Sequence, residues 1–290
     1  MSKSVALVLG SGGARGLAHI GVIKYLKEQN YEIKGIAGTS IGALIGGVFA
    51  AEKLDELEKW MTSLKSSDVI SLLDISWSSS GFVKGDKVMD SLKEMLGKQS
   101  IDDLKIPFTA VAVDIKTEKE IWLNSGSLFN AIRASASLPL FFTPVDYNGY
   151  KLVDGGVLNP VPIAPTFEIE CDKIIAVNLN AKPEESKEED IAIHKKTKEE
   201  NDSGNGFTDK ITNYIKKLSP SKEDKEKDWS MYDVANHSFD AMQTAISRNK
   251  LAAYPPDVLI EIPRNACGTF EFERAKEMID LGYEKAKEML

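Results

Sequence analysis

The chain is poor in histidine and poorer in cysteine, with three of the first and two of the second in 290 residues. Cys171 and Cys267 stand apart with no Cys-x-x-Cys spacing, so a disulfide framework, a zinc motif and a dithiol redox motif all lack their residues. Two reduced thiols in a cytoplasmic protein are expected. Cationic excess is also missing: 36 Lys and Arg stand against 44 Asp and Glu, a formal net charge of -8. That balance argues against nucleic acid as a general partner. No apolar run approaches the ~20 residues a membrane-spanning helix needs. Val5–Leu9, stopped at once by Gly10, is too short for the apolar core of a secretory signal. Any membrane contact is expected to be peripheral.

What is present reads as an α/β protein. Val5–Leu9 is a buried strand, and Leu17 to Asn30 carries a broad apolar helical face. Lys34–Ala37 is a second strand and Ile41–Ala51 a second helix, a β-α-β-α opening that favours a parallel sheet covered by helices. Further helices are expected over 54–64, 88–96, 128–136, 232–251 and 270–290. Paired strands are expected over 108–115 and 119–123, with others over 173–179 and 258–262. Residues 181–230 differ from the rest, with 13 acidic and 11 basic residues in 50. So charged a stretch buries too little apolar surface to offset its ordering entropy. It reads as an insertion at about 181–229 within one domain spanning 1–290. Phe207, Ile211, Ile215 and Leu218 recur there at helical spacing, as in a short resting helix or a small lid.

Three elements carry chemistry. Gly10-Ser11-Gly12-Gly13-Ala14-Arg15-Gly16 lies between a strand and a helix, where unpaired N–H groups and the helix dipole favour an anion. A dinucleotide fingerprint wants glycine where Arg15 stands, and Gly16 comes one residue late, which leaves that reading weak. An oxyanion hole is the alternative. Gly38-Thr39-Ser40-Ile41-Gly42 is a G-x-S-x-G turn, whose glycines let a serine sit exposed between strand and helix. Asp154-Gly155-Gly156 ends an apolar run and can aim a carboxylate. Asp-Gly is also ordinary turn chemistry.

The shortage of histidine now bears on the mechanism. His19 precedes Ser40 and falls beside the glycine loop, where it is expected to pack or cap. His194 falls in the charged insertion. His237 lies in a helix after Asp154, which keeps a Ser-His-Asp esterase open as an alternative. A carboxylate beside the serine hydroxyl can serve as general base without histidine, and burial would raise its pKa toward neutrality. Asp114, at the end of a strand, is expected to hold a loop.

Taken together, these motifs resemble the patatin-like phospholipases, serine acyl hydrolases that use a Ser-Asp dyad. Gly12–Gly16 with Leu17–Gly21 matches the family's oxyanion element. Gly38–Gly42 matches its nucleophile elbow and Asp154–Gly156 its dyad element. Arg133–Pro139 with Pro144 resembles a further family segment. The resemblance covers about 4–180 well and implies a three-layer α/β/α fold with a mostly parallel sheet. It implies Ser40 as nucleophile, Asp154 as base and the amides of Gly12, Gly13 and Ala14 as oxyanion donors. Gly10, Arg15, Gly16, Gly38, Gly42, Gly155 and Gly156 would support them. Arg15 would orient the loop, attract an anionic head group, or be structural. The implied substrate is a lipid ester, cleaved as by a phospholipase A or lysophospholipase, with no cofactor or metal. A weakly catalytic lipid-binding module on the same fold is the remaining alternative.

Overall fold

A computed structural model describes residues 3–72, 86–139, 141–184 and 231–290 of the chain. The chain divides into two compact units. One comprises 1–182 with 243–290, the other 183–242. Most of the charged insertion, including His194 and the 207–218 helical pattern, lies outside the described residues.

The first unit is built on one sheet. Its strands are β1 (Lys3–Leu9), β2 (Tyr31–Thr39), β3 (Phe108–Asp114), β4 (Lys119–Leu123), β5 (Val145–Tyr147), β6 (Tyr150–Asp154), β7 (Lys173–Ala181) and β8 (Val258–Pro263). Pairing runs β8-β7-β1-β2-β3, all parallel, with β4 and β6 antiparallel to β3 and β5 antiparallel to β6. The helices are α1 (Ala18–Glu28), α2 (Ile41–Ala50), α3 (Leu54–Ser63), α4 (Ser66–Leu72), α5 (Asp86–Leu96), α6 (Leu128–Ser135), α7 (Met231–Ala253) and α8 (Ala275–Met289).

Parallel strands buried on both faces read as continuous apolar runs, and β1 shows this directly. Val5 to Leu9 are all fully buried. Val5, Leu7 and Leu9 point into a large core with residues of α1, α2 and α8. Val8 points the other way, into a smaller cluster with Val161, Ile163 and Ala176, against which Leu251 of α7 packs. The sheet is thus flanked by helices, as the sequence implies.

Most expected elements appear within a residue or two. The terminal helix is a correction: it starts at Ala275, because 264–274 forms a turn-rich connection with a short 3-10 turn at Phe272–Arg274. β2 is longer than its apolar core, and α4 and β5 were not expected.

Register explains how one strand end meets another. Val111 of β3 pairs with Thr39 of β2 and with Trp122 of β4. Its neighbour Ala112 pairs with Asp154 of β6 and Ile121 of β4. β4 occupies one flank of β3 from Ala110 to Asp114, so β2 and β6 share the other flank in tandem. Because β6 runs antiparallel to β3, its C-terminal end points at the C-terminal end of β2.

Candidate active site

The tandem arrangement brings together Ser40, the residue after β2, and Asp154, the last residue of β6. Ser40 caps α2 with φ 58 and ψ -121. A positive φ is strained for any residue with a Cβ and typically costs 1–3 kcal/mol, held in place only by its surroundings. Those surroundings are specific. The Ser40 N–H donates to Ser135 Oγ at 2.9 Å, and Ser135 Oγ donates to the Val111 carbonyl at 2.6 Å. Thr39 Oγ1 donates to the Asn159 carbonyl at 2.9 Å. A Cβ on Gly42 would stand 2.1 Å from the Leu9 carbonyl oxygen, and one on Gly38 would stand 2.5 Å from the Gly42 carbonyl oxygen. The helix therefore leaves the turn pressed against the backbone of β1 and of the glycine loop.

Asp154 is wholly buried. Its N–H donates to the Ser137 carbonyl at 2.9 Å, and its Oδ1 accepts the Gly156 N–H at 2.7 Å. Gly155 lies close against Val111 and Thr39, where a Cβ would stand 2.2 Å from the Val111 carbonyl oxygen. Burial pushes the Asp154 carboxyl up to about 6, while the Ser40 hydroxyl and the Gly156 N–H pull the other way. Among the described residues, Asp154 Oδ2 has no donor within strict hydrogen-bond limits, although the Ser40 hydroxyl is near enough to act on the carboxyl. A buried carboxylate oxygen without a donor is a poised proton acceptor.

The glycine loop closes the third side. The Gly10 N–H donates to the Val177 carbonyl at 3.0 Å and the Ser11 N–H to the Pro160 carbonyl at 2.8 Å. Among the described residues the Gly12 and Gly13 amides have no protein acceptor. Ala14 departs from the expected donor set, because its N–H already donates to the Thr269 carbonyl at 2.9 Å. Gly16 packs against Ile41, the residue after Ser40. Arg15 is buried, with Nε donating to the Leu179 carbonyl and Nη1 to the Cys267 carbonyl, each at 3.2 Å. Its role among those described is to tie the loop to β7 and the 264–274 connection.

The histidines separate clearly. His19 is fully buried, its Nε2 lies 2.8 Å from the Gly10 carbonyl, and burial pushes its pKa down to about 4. It is neutral near pH 7 and donates through Nε2 to buttress the loop. His237 is exposed on α7. Asp114 holds a loop as expected, accepting from Thr117 Oγ1 at 2.6 Å and the Lys151 N–H at 3.0 Å. The bond from Thr117 is the main cause keeping its pKa below the usual carboxylate value. Burial drives the Cys267 thiol up to about 12. Among the described residues no three His, Cys, Asp or Glu side chains are grouped to hold a metal, and no helix is long and apolar enough to cross a membrane.

The family model described as patatin-like phospholipase matches residues 7–167. The chain belongs to the patatin-like phospholipase family. An uncharacterized NTE family protein of Mycobacterium bovis is 36% identical over the whole chain, which covers 92% of that relative. A protein named lysophospholipase NTE1 from Coccidioides immitis is 29% identical over 99% of the chain, which corresponds to 18% of that protein. The fold is also that of VipD from Legionella pneumophila, with a TM-score of 0.52, 15% identity, and coverage of 99% of this chain and 66% of that one. Membership places the chain among lipid hydrolases.

Within this patatin-like frame the Arg133–Pro139 segment acquires a physical role. Ser135 holds the Ser40 amide and the Ser137 carbonyl holds the Asp154 amide, so residues two apart clamp both strand ends. The sequence marked the segment only by resemblance and singled out neither serine, because their partners are distant in the chain.

Proposed function

We propose that the protein is a serine lipid acyl hydrolase of phospholipase A or lysophospholipase type, working through a Ser40–Asp154 dyad. The carrying observation is the strained Ser40 turn whose hydroxyl approaches a wholly buried carboxylate, Asp154, that burial pushes up to about 6. Asp154 takes the Ser40 proton as Oγ attacks the ester carbonyl. The amides of Gly12 and Gly13, free of protein acceptors among the described residues, stabilise the tetrahedral oxyanion. Each such donor is worth ~3 kcal/mol of barrier. Asp154 then returns the proton to the leaving alcohol oxygen, and the acyl-enzyme remains on Ser40. Asp154 takes a proton from water as it attacks the acyl carbonyl, then gives that proton to Ser40 Oγ as the acyl–oxygen bond breaks and the fatty acid leaves. The lysophospholipase name of a relative and the family match support a lipid ester as substrate. No observation favours a histidine base or a non-catalytic module.

A fluorophosphonate probe tests this reading. Mass spectrometry should find the adduct on Ser40 in the wild type and none in Ser40→Ala. A panel of phospholipids and lysophospholipids should be hydrolysed by the first and not the second. An adduct elsewhere, or hydrolysis that survives Ser40→Ala, would overturn it.

A further inference from the structure

Gln243, on α7 and outside the residues matched by the family model, reaches two parts of the site at once. It is buried, and its Nε2 donates to Ser11 Oγ at 2.9 Å. The same amide nitrogen lies against Gly156, where a Cβ would come within 2.2 Å of it and within 2.7 Å of Ser11 Oγ. Ser11 directly precedes Gly12 and Gly13. Gly156 is the residue whose N–H donates to Asp154 Oδ1. One side chain therefore bridges the glycine loop and the turn that orients the carboxylate.

The rest of Ser11 is fixed too, through its N–H on the Pro160 carbonyl and its own carbonyl, which accepts from Asn180 Nδ2 at 3.3 Å. With its backbone held on both sides, the Ser11 hydroxyl transmits the position of Gln243 to the following amides. Two helical turns further along α7 the pattern continues. Lys250 pairs with Glu120, which accepts from Asn159 Nδ2 at 2.9 Å, and the Asn159 carbonyl accepts from Thr39, the neighbour of Ser40. The polar side of α7 thus backs the loop, the elbow and the base from behind.

We infer that Gln243 is a positioning residue that locks the Gly12–Gly13 amides and the Asp154 turn in a single register. The inference rests on the dyad reading above. A positioned oxyanion hole acts on the transition state more than on substrate binding. Misplacement of reacting groups by a fraction of an ångström is costly in rate.

Gln243→Met fills nearly the same volume without the hydrogen bond. It should lower kcat about tenfold or more with KM little changed. Ser11→Ala should give a similar loss, and the double variant should be no worse than either, because both remove one shared bond. Gln243→Glu adds a negative charge near Asp154. It should move the acidic limb of kcat/KM upward by about one pH unit or more, an effect that packing alone would not produce. Wild-type kcat in Gln243→Met, a loss confined to KM, multiplied losses in the double variant, or an unmoved pH limb in Gln243→Glu would each overturn the inference. The fluorophosphonate rate separates the two readings. If the wild type shows no Ser40 adduct, the dyad reading fails. If the wild type is labelled and Gln243→Met is labelled equally fast, only the positioning role fails.

Discussion

Thr39 and Asp154 pair with consecutive residues of the same strand, Val111 and Ala112, on the same flank of β3. The meeting of Ser40 with Asp154 is therefore a property of sheet register. A one-residue slip of β6 would turn the Asp154 side chain to the opposite face. The clamps from Ser135 and Ser137 resist that slip at both ends.

The protonation state of Asp154 sets the first prediction. A base must be unprotonated to accept the serine proton. With its carboxyl pushed up to about 6, kcat/KM should rise as pH increases through that value and level off above pH 7. The measurement is hydrolysis of a soluble acyl ester from pH 4.5 to 8.5. Burial shapes the limb, so it should lie above the ordinary carboxylate range near 4.

Stability should carry the opposite sign. The folded pKa of Asp154 is raised, so the cost of burying its charge is full above about pH 6 and vanishes below the unfolded value near 4. At ~1.4 kcal/mol per unit this is about 3 kcal/mol. His19 works the other way: its folded pKa near 4 lies below the unfolded 6.5, so stability is lost as pH falls between them. The two effects offset each other in the wild type. Asp154→Asn should be more stable than wild type at pH 8, by up to about 3 kcal/mol. It should lose that advantage by pH 4, where the wild-type Asp154 is itself protonated and its buried charge is gone, while His19 affects both proteins alike. Urea unfolding at both pH values reads this directly.

Backbone strain at Ser40 gives a third prediction. Ser40→Ala and Ser40→Gly both abolish the nucleophile, but only glycine relieves φ 58. Ser40→Gly should be the more stable of the two by about 1 kcal/mol, the relief being partly offset by the greater freedom of glycine in the unfolded chain. Thermal unfolding of the two inactive variants side by side measures the difference.

Close approach gives a fourth. Gly42→Ala would put Cβ 2.1 Å from the Leu9 carbonyl oxygen and 2.8 Å from that of Gly10, both backbone atoms that cannot swing away. A destabilisation of about 3 kcal/mol or more is expected. Gly97, after α5, has φ +61 but nothing within 4 Å of a built Cβ. Gly97→Ala should cost only about 1–2 kcal/mol. Comparing their urea midpoints separates steric collision from backbone strain.

Much of this was legible in the sequence because the signals were local. Val5–Leu9 announced a doubly buried strand, and the glycines around Ser40 announced a tight turn. Asp154 needed its company: Asp-Gly alone is turn chemistry, and only β6 register shows it facing the elbow. Gln243, Ser135 and Ser137 carried no local signal, since each works through a partner far away in the chain. Arg15 could not be assigned from sequence because its partners, the Leu179 and Cys267 carbonyls, are backbone atoms. Ala14 was expected as a donor from motif position alone, and the Thr269 carbonyl that occupies its amide is supplied by a connection 255 residues downstream.

The central claim is that Ser40 depends on Asp154 and on no histidine. The most direct measurement is kcat for lipid ester hydrolysis by Asp154→Asn and His237→Ala beside the wild type at pH 8. The account predicts a loss of about 10²–10⁴-fold in Asp154→Asn, the usual contribution of a positioned general base, and near wild-type turnover in His237→Ala. An active Asp154→Asn enzyme together with an inactive His237→Ala enzyme would contradict it.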